Sequence, residues 1–259
     1  MIENKSTFVF DMDGTLAECR EKPVYDKNKL ILQQLMLKGN NVLIVSAGSC
    51  KRILNQLNAT GILAGKIYIM GNYGLDCATV YDGKVIEENK HSYKNELDEK
   101  KLNDFLDNFR KQYGLEKFLG ESHVVFDSGL IAFCVLGTNA PQEDKQKYDP
   151  KQTKRQSYVE KILKLLPENL TAYVAGQTSI DILKKTYDKN NTIIRWAAEH
   201  CCPLKEIVFF GDEITMPYGN DSSILNSKID YIEVKTCKET AKHFSKLFKD
   251  LKCNKEFDF

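Results

Sequence analysis

Short apolar runs and amphipathic segments alternate along the first third of the chain. The runs at 7–11, 41–45 and 66–70 are apolar and short enough for strands that are buried on both faces. Between them, residues 28–38 and 51–57 place apolar side chains at helical spacing. This order of strand, helix, strand, helix and strand predicts right-handed crossovers and a parallel sheet whose loops gather at its carboxyl edge.

The pattern changes after residue 75, where a second module begins. Its predicted elements are a hairpin turn, two helices and four short strands, at 81–84, 96–113, 158–166, 123–126, 130–136, 170–174 and 180–183. The polar stretch 140–154 is predicted to be an exposed loop that leads into the second of these helices. Helices that cover one face of an antiparallel sheet would form an α+β cap.

The α/β pattern returns from residue 188 to the end of the chain. It predicts helices at 192–198 and 239–248 and strands at 207–210 and 231–234. The sequence therefore predicts an α/β protein with a Rossmann-like parallel-sheet core and an inserted α+β cap. We expect a discontinuous core domain at 1–81 and 188–259, with the cap at 82–187.

Composition narrows the class of protein. The 259 residues are 42% apolar and 28% charged, which is typical of a folded soluble protein rather than a disordered one. Because 37 basic residues balance 36 acidic ones, nothing draws the chain to nucleic acid or to an anionic membrane. No apolar run approaches the ~20 residues of a membrane span, and the start of the chain lacks signal-peptide features. We therefore expect a cytoplasmic protein, and the sequence leaves open whether it forms a homodimer.

Two carboxylates follow the first strand, where Asp11 and Asp13 lie two residues apart in the text D-x-D-G-T. Such a pair can divide the work of phosphoryl transfer, because one carboxylate can accept the phosphoryl group while the other protonates the leaving oxygen. Standing alone, the text would equally suit an acidic turn that caps a helix. The decision between these interpretations depends on what the other strand ends supply.

Two other strand ends, and one helix start, supply groups that phosphoryl transfer needs. Ser46 and Ser49 lie in a turn at a helix start, where hydroxyl and backbone N–H groups favour an anion. Asp212 and Asp221 follow a later strand and offer oxygen ligands for Mg²⁺, while Lys189 can neutralise phosphate charge. Each group alone could be a helix cap or a solvated side chain. Their order along the chain favours a phosphoryl-transfer site for a small phosphorylated metabolite.

With these residues in place, the chain resembles the haloacid dehalogenase superfamily of Mg²⁺-dependent phosphatases and phosphomutases. More narrowly, it resembles the eukaryotic-type phosphomannomutase branch. The matching blocks are residues 10–16 with Arg20, 72–75, 82–84, 176–181 with 188–189, and 209–221. The last block is the most specific, since Thr-Met-Pro before Gly-Asn-Asp is not a general feature of the superfamily.

The resemblance implies a role for each matched residue. Asp11 would be the nucleophile, Asp13 the general acid and base, and Lys189 a ligand of the phosphate. The sugar phosphate would contact Arg20, Ser179 and Asp181. The metal would be Mg²⁺, held by Asp11, the Asp13 carbonyl and Asp212, with Asp221 on the metal side. The turn at 46–49 departs from the family text, so either Ser46 or Ser49 remains a candidate phosphate ligand.

The cap departs from the family at positions where phosphomannomutases carry arginines. Those positions hold Asp127 and Thr138, and a third arginine falls near Lys145. Arginines bind a second phosphate through bidentate hydrogen bonds, so their absence favours hydrolysis over mutase action. The sequence thus favours an Mg²⁺-dependent phosphatase of a sugar phosphate, with phosphomannomutase as the alternative. An inactive binding protein is a third interpretation, which the intact set of acidic residues argues against.

Overall fold

The computed structural model describes residues 2–20, 22–59, 61, 63–115 and 120–244. The strands in these ranges are β1 (Thr7–Phe10), β2 (Asn41–Val45), β3 (Lys66–Gly71), β4 (Asp76–Tyr81), β5 (Lys84–Lys90), β6 (His123–Val125), β7 (Ile131–Cys134), β8 (Leu170–Ala175), β9 (Ser179–Lys184), β10 (Ile207–Gly211) and β11 (Asp230–Glu233). The α-helices are α1 (Asp26–Leu37), α2 (Cys50–Asn58), α3 (Glu99–Gln112), α4 (Gln142–Tyr148), α5 (Thr153–Leu163), α6 (Lys189–Glu199) and α7 (Cys237–Phe244).

Seven strands form the larger sheet, in the order β11-β10-β1-β2-β3-β4-β5. The five strands from β11 to β3 run parallel, and β4 and β5 continue the sheet in antiparallel fashion. The prediction of a parallel α/β core is therefore confirmed. The chain crosses from β1 to β2 through α1 and from β2 to β3 through α2, so the loops after these strands meet at one edge.

This sheet is buried between two layers of helices. Successive side chains of a strand point to opposite faces, so each strand contributes to both layers of the core. Phe8 and Phe10 of β1 pack in one cluster with apolar residues of α1, α2 and α7. Val9 points to the other face, into a cluster that contains Ile193 and Trp196 of α6. Continuous apolar strands such as β1 are what a sheet covered on both faces requires.

The second sheet is antiparallel, with the strand order β6-β7-β9-β8. One face packs on α3 and α5 through side chains such as Phe109, Phe133 and Val159. The other face turns toward the core, where a smaller cluster joins Leu130 and Leu183 to Tyr73.

Among the described residues, no helix combines the length and apolar character that crossing a bilayer demands.

Two predicted elements differ from the structure. Strand β5, which we placed in the cap segment, hydrogen-bonds β4 in the core sheet, because the Asp82-Gly83 turn folds it back as a hairpin. The predicted loop at 140–154 contains α4, whose acidic first turn and basic last turn suit the helix dipole. The helix predicted at 239–248 is present as far as Phe244, and the remainder of that prediction, 245–248, lies outside the described residues.

The pairing of β5 changes where the inserted unit begins. We propose that the core comprises residues up to 90 and from 188, and that the cap comprises residues 91–187. The two linkers run side by side, because Tyr93 stacks on Tyr187 with ring centres 5.6 Å apart. Loop 212–221 of the core also touches the cap, where the Val174 N–H donates to the Tyr218 carbonyl at 2.8 Å. The cap thus rests on the edge of the core sheet that carries the predicted site.

Candidate active site at the carboxyl edge of the core sheet

The carboxyl ends of three adjacent strands bring the acidic motifs together. Phe10, the last residue of β1, pairs with Phe210 of β10 on one side and with β2 on the other. The Asp11 N–H continues this ladder and donates to the Phe210 carbonyl at 2.9 Å. Asp11, Ser46 and Asp212 therefore follow neighbouring strands of the sheet.

A buried lysine joins two of the carboxylates. The Lys189 Nζ donates to Asp11 Oδ1 at 2.7 Å and to Asp221 Oδ1 at 2.6 Å. Lys189 is the first residue of α6, which Asp188 caps by accepting the Asn191 N–H. The side chains of Lys189 and Asp221 are both 0% exposed, so their charges are compensated by each other and by Asp11 rather than by water.

The electrostatics of this cluster leave negative charge in excess. Burial raises the pKa of Asp11 and of Asp212 well above the ordinary value, and Asp221 raises both further. Burial acts against the charged form of Lys189, but Asp11 and Asp221 outweigh it and raise its pKa. One cation thus faces three carboxylates, and the pocket favours a further positive charge.

The arrangement of the carboxylates fits a divalent metal ion. Asp11, Asp212 and Asp221 each offer an oxygen, and these atoms lie within 4.8 Å of one another. Hard oxygen ligands of this kind are what Mg²⁺ takes in phosphoryl-transfer sites. The Asp13 carboxylate is not in this group.

Gly14 allows the loop after β1 to approach Asp212. Its φ of 81° lies in the left-handed region, which a side chain disfavours. A Cβ on Gly14 would lie 2.3 Å from Asp212 Oδ2, which is closer than two atoms can pack. The glycine of the D-x-D-G text is therefore required both by the turn and by contact with the metal-ligand candidate.

Asp13 is held by two residues of α2 that the sequence analysis did not single out. The Arg52 Nη1 donates to Asp13 Oδ2 at 2.8 Å and to Oδ1 at 3.1 Å. Gln56, one turn later, accepts from the same guanidinium and donates to the Lys22 carbonyl at 2.9 Å. Arg52 and Gln56 therefore fix Asp13 relative to the segment that carries Arg20.

The structure gives the two candidate serines different surroundings. Ser49 caps α2, since its hydroxyl oxygen accepts the Arg52 N–H at 3.3 Å. Ser46 follows β2, is 2% exposed, and accepts from the Gly48 N–H and from the Arg52 guanidinium. Ser46 lies directly beside the Asp11 strand end, whereas Ser49 serves the helix.

The three predicted sugar-phosphate ligands come from two places. Ser179 and Asp181 lie on the same cap strand, β9, and Asp181 is nearly buried. Arg20 is an exposed residue of the segment after Asp13. Burial raises the pKa of Asp181 to about 7, while Tyr73, Arg20 and Lys189 act in the opposite direction. The charges of Arg20 and Lys189 therefore reach the cap carboxylate from the core side.

Sequence reasoning missed Arg52 and Tyr73, which both bond to predicted site residues. Tyr73 Oη donates to Asp181 Oδ2 at 2.9 Å. Arg52 follows Ser49 by three residues on a predicted helix, where a basic side chain is ordinarily a solvated surface group, so the sequence alone did not distinguish it. Tyr73 lies within the block 72–75, which resembles the family in sequence but to which the sequence analysis assigned no role. The one sequence feature that pointed to it was a tyrosine between Asn72 and Gly74.

A family model described as eukaryotic phosphomannomutase matches residues 29–250. A protein from Solanum lycopersicum named phosphomannomutase is 31% identical over 248 residues, which covers 93% of each chain. A phosphomannomutase from Glycine max is 29% identical over 228 residues, covering 85% of this chain and 86% of its own.

Solved structures with the same fold include a haloacid dehalogenase-like hydrolase from B. subtilis. That structure matches with a TM-score of 0.57 and 15% identity, over 93% of this chain and 99% of its own. An N-terminally truncated, IMP-bound IMP-nucleotidase of Plasmodium falciparum matches with a TM-score of 0.64 and 15% identity, over 96% of this chain and 69% of its own. At this identity the matches establish the fold.

Proposed function

The chain belongs to the eukaryotic phosphomannomutase family and is an enzyme of the haloacid dehalogenase type, and from that premise we propose that it is a hexose phosphate mutase. The observation that carries the proposal is the buried cluster of Asp11, Lys189 and Asp221 beside Asp212, under a cap that brings Asp181 to the same edge. Such a cluster provides a nucleophile, a fixed cation and oxygen ligands at one point.

The phosphoryl group would move in two steps, first from the sugar to Asp11 and then from Asp11 back to a sugar. An oxygen of Asp11 attacks the phosphorus of a sugar bisphosphate, forming an aspartyl phosphate and breaking the bond between phosphorus and the sugar oxygen. Asp13 gives a proton to that leaving oxygen. In reverse, Asp13 takes the proton of another sugar hydroxyl as that oxygen attacks the phosphoryl group on Asp11. The sugar thus changes the position of its phosphate, and the bisphosphate is regenerated.

Other residues of the site would hold the phosphoryl group and the sugar. We assign Ser46 rather than Ser49 to the transferring phosphate, because Ser49 already caps α2 and Ser46 adjoins Asp11. Lys189 fixes Asp11 and neutralises phosphate charge. Arg20, Ser179 and Asp181 would contact the sugar phosphate from the flanking segment and the cap.

Mg²⁺ is the cofactor that the carboxylate set fits, and Asp11, Asp212 and Asp221 would hold it, together with the Asp13 carbonyl. Bound there, it would supply positive charge against the phosphate oxygens during transfer. The excess negative charge of the cluster supports this assignment, since one lysine faces three carboxylates.

Hydrolysis is a second candidate function, and the cap supports it at two positions. The Asp127 side chain is fully exposed and pairs only loosely with Lys94, at 3.5 Å. Thr138 is occupied in accepting the Glu121 N–H at 3.1 Å. The sequence analysis favours hydrolysis on these positions, but the family and its named members support the mutase better than the phosphatase.

An assay that follows both products separates the two functions. The protein is incubated with Mg²⁺, a panel of hexose monophosphates and a trace of hexose bisphosphate, while inorganic phosphate and sugar phosphate isomers are measured. We expect isomer interconversion to exceed phosphate release. Release of inorganic phosphate without interconversion for every sugar would establish the phosphatase, and no turnover of any sugar phosphate would contradict both.

Arg52 should matter for turnover because it holds both oxygens of Asp13. We expect Arg52→Ala to lower kcat about 10- to 100-fold, less than the ~10²- to 10⁴-fold that a general acid and base itself contributes, because Asp13 remains but is no longer held. Lys51→Ala is the matched control, since Lys51 is an exposed neighbour on α2, and it should stay within about twofold of the original. Steady-state kinetics of both variants test this. An Arg52→Ala enzyme with unchanged kcat would remove Arg52 from the mechanism.

A further inference from the structure

One hydrogen bond joins the core to the sugar-facing strand of the cap. Tyr73 lies in the turn after β3 and is 0% exposed, and its hydroxyl donates to Asp181 Oδ2 on β9 at 2.9 Å. The donor thus belongs to the core sheet and the acceptor to the cap sheet. Because the donor and the acceptor belong to different sheets and lie 108 positions apart in the chain, the bond forms only when the cap rests on the core.

The backbone of Tyr73 is strained and firmly held. Its φ of 58° lies in the left-handed region, which costs a bulky residue about 1 kcal/mol or more. Its N–H donates to the Ser46 carbonyl at 3.0 Å, and its carbonyl accepts from the Thr192 hydroxyl at 2.6 Å. The turn that carries Ser46 and the helix that carries Lys189 therefore position the Tyr73 hydroxyl.

Charged and titratable groups surround Asp181 on several sides. The groups that act on it, or that it acts on, are Tyr73, Arg20, Lys189, Tyr93 and Cys134. Its strand neighbours Ala132 and Tyr173 stand opposite it in the cap sheet and complete the surroundings. The carboxylate is 7% exposed, so its remaining acceptor sites face little water. A buried carboxylate with one donor bound can accept further hydrogen bonds.

We propose that Tyr73 is a positioning residue for sugar recognition, whose hydroxyl fixes Oδ2 of Asp181 so that Oδ1 accepts a hydroxyl group of the bound hexose phosphate. The inference rests on the proposed function, because it takes a sugar as the ligand. Tyr73 donates its hydrogen bond to the carboxylate and keeps its proton. An ionised carboxylate can only accept, so the sugar hydroxyl must act as the donor to Oδ1. An analogue that lacks this hydroxyl would leave a buried acceptor unpaired.

The sign of the pH dependence follows from this geometry. Burial raises the pKa of Asp181 to about 7, and the Tyr73 hydrogen bond opposes that rise. The ionised form, which predominates above pH 7, is the stronger acceptor for a sugar hydroxyl. Removing the Tyr73 hydroxyl should move the pKa of Asp181 upward, so less of the ionised form exists at neutral pH and sugar binding weakens there.

The test compares Tyr73→Phe with Tyr173→Phe. Tyr173 is a matched control, because its ring lies 6.4 Å from that of Tyr73 in the same cluster. We expect Tyr73→Phe to raise KM for the hexose phosphate at pH 7 by about tenfold or more, as for losing a hydrogen bond to a charged group, with kcat within about threefold. The control should leave KM within about twofold. Equal effects of both variants on KM would reduce Tyr73 to a packing role and overturn the proposal.

A direct titration separates this proposal from the proposed function. The carboxyl carbon of Asp181 is followed by ¹³C NMR in protein with labelled aspartate, and Asp181→Asn identifies its signal. The Tyr73→Phe titration should lie at higher pH than the original, and that of Tyr173→Phe should not. Identical titrations overturn the positioning role. Absence of turnover on every sugar phosphate, with the shift present, would instead overturn the sugar ligand and the proposed function.

A double-mutant cycle keeps the test valid if Tyr73→Phe loses stability. Asp181→Asn alone should raise KM, and adding Tyr73→Phe to it should raise KM by less than about twofold more, since the two residues act through one bond. Multiplicative effects on KM in the double variant would mean that Tyr73 acts independently of Asp181, which contradicts the proposal.

Discussion

Asp11→Asn should reduce turnover at least ~10³-fold, the scale of removing a nucleophile, because an amide cannot form the acyl phosphate. The fold should survive the change. Burial already raises the pKa of Asp11 well above its ordinary value, so the site tolerates a neutral group, and an amide oxygen can still accept from Lys189. Rate measurements with mass spectrometry, which excludes deamidation back to Asp, test the expectation.

The matched control for this variant is Asp26→Asn. Asp26 is an exposed residue at the start of α1 and is not a member of the buried cluster, so its variant should keep full activity. Urea unfolding should give similar midpoints for all three proteins. More than a trace of turnover by Asp11→Asn, with the amide intact, would falsify the nucleophile assignment.

Lys189→Met should have the second largest effect, on stability as well as on turnover. Lys189 is fully buried between Asp11 and Asp221, so its removal leaves two carboxylates without a cation in metal-free buffer. Breaking a buried ion pair in this way costs about 3–5 kcal/mol of unfolding free energy. The exposed Lys185, four residues earlier, provides the control variant Lys185→Met, which should change stability by less than about 0.5 kcal/mol.

The loss in Lys189→Met should depend on pH in a definite direction. Without the lysine, the pKa of Asp11 rises further, and a carboxyl group whose pKa is raised by folding destabilises the protein as pH rises through that range. The deficit relative to the original should therefore be larger at pH 8 than at pH 4, where Asp11 is protonated in the folded variant and about half protonated in the unfolded chain. Urea unfolding at both pH values measures it. A deficit that is the same at both would mean that the ion pairs are not its source.

The core was predictable because its strands are buried on both faces and therefore appear as continuous apolar runs. The predicted segments 7–11 and 41–45 correspond to β1 and β2 almost residue for residue. The edge strand β5 gave no such signal, since every residue of it is exposed and five of its seven residues are polar or charged. The hairpin turn predicts that β5 pairs with the strand before it. The turn does not predict whether that pair of strands belongs to the core or to the cap.

The candidate site residues that directly follow strands could be predicted from the sequence. The α/β order predicts that the loops carrying Asp11, Asp212 and Asp221 gather at one edge, and they converge there because the structure makes β1 and β10 neighbours. Arg52 and Tyr73 were not predictable, because their roles depend on which side chains face them across the fold. A basic residue on a helix and a tyrosine in a turn occur widely, and only the three-dimensional contacts distinguish these two.

The central claim is that the phosphoryl group on Asp11 passes to a sugar hydroxyl rather than to water. Protein phosphorylated from ³²P-labelled mannose 1,6-bisphosphate, freed of sugar, is mixed in a single turnover with unlabelled mannose 6-phosphate and Mg²⁺, and the label is partitioned between bisphosphate and inorganic phosphate. The account predicts that most label enters the bisphosphate. Label that enters inorganic phosphate at the same rate with and without mannose 6-phosphate would contradict it and establish a phosphatase.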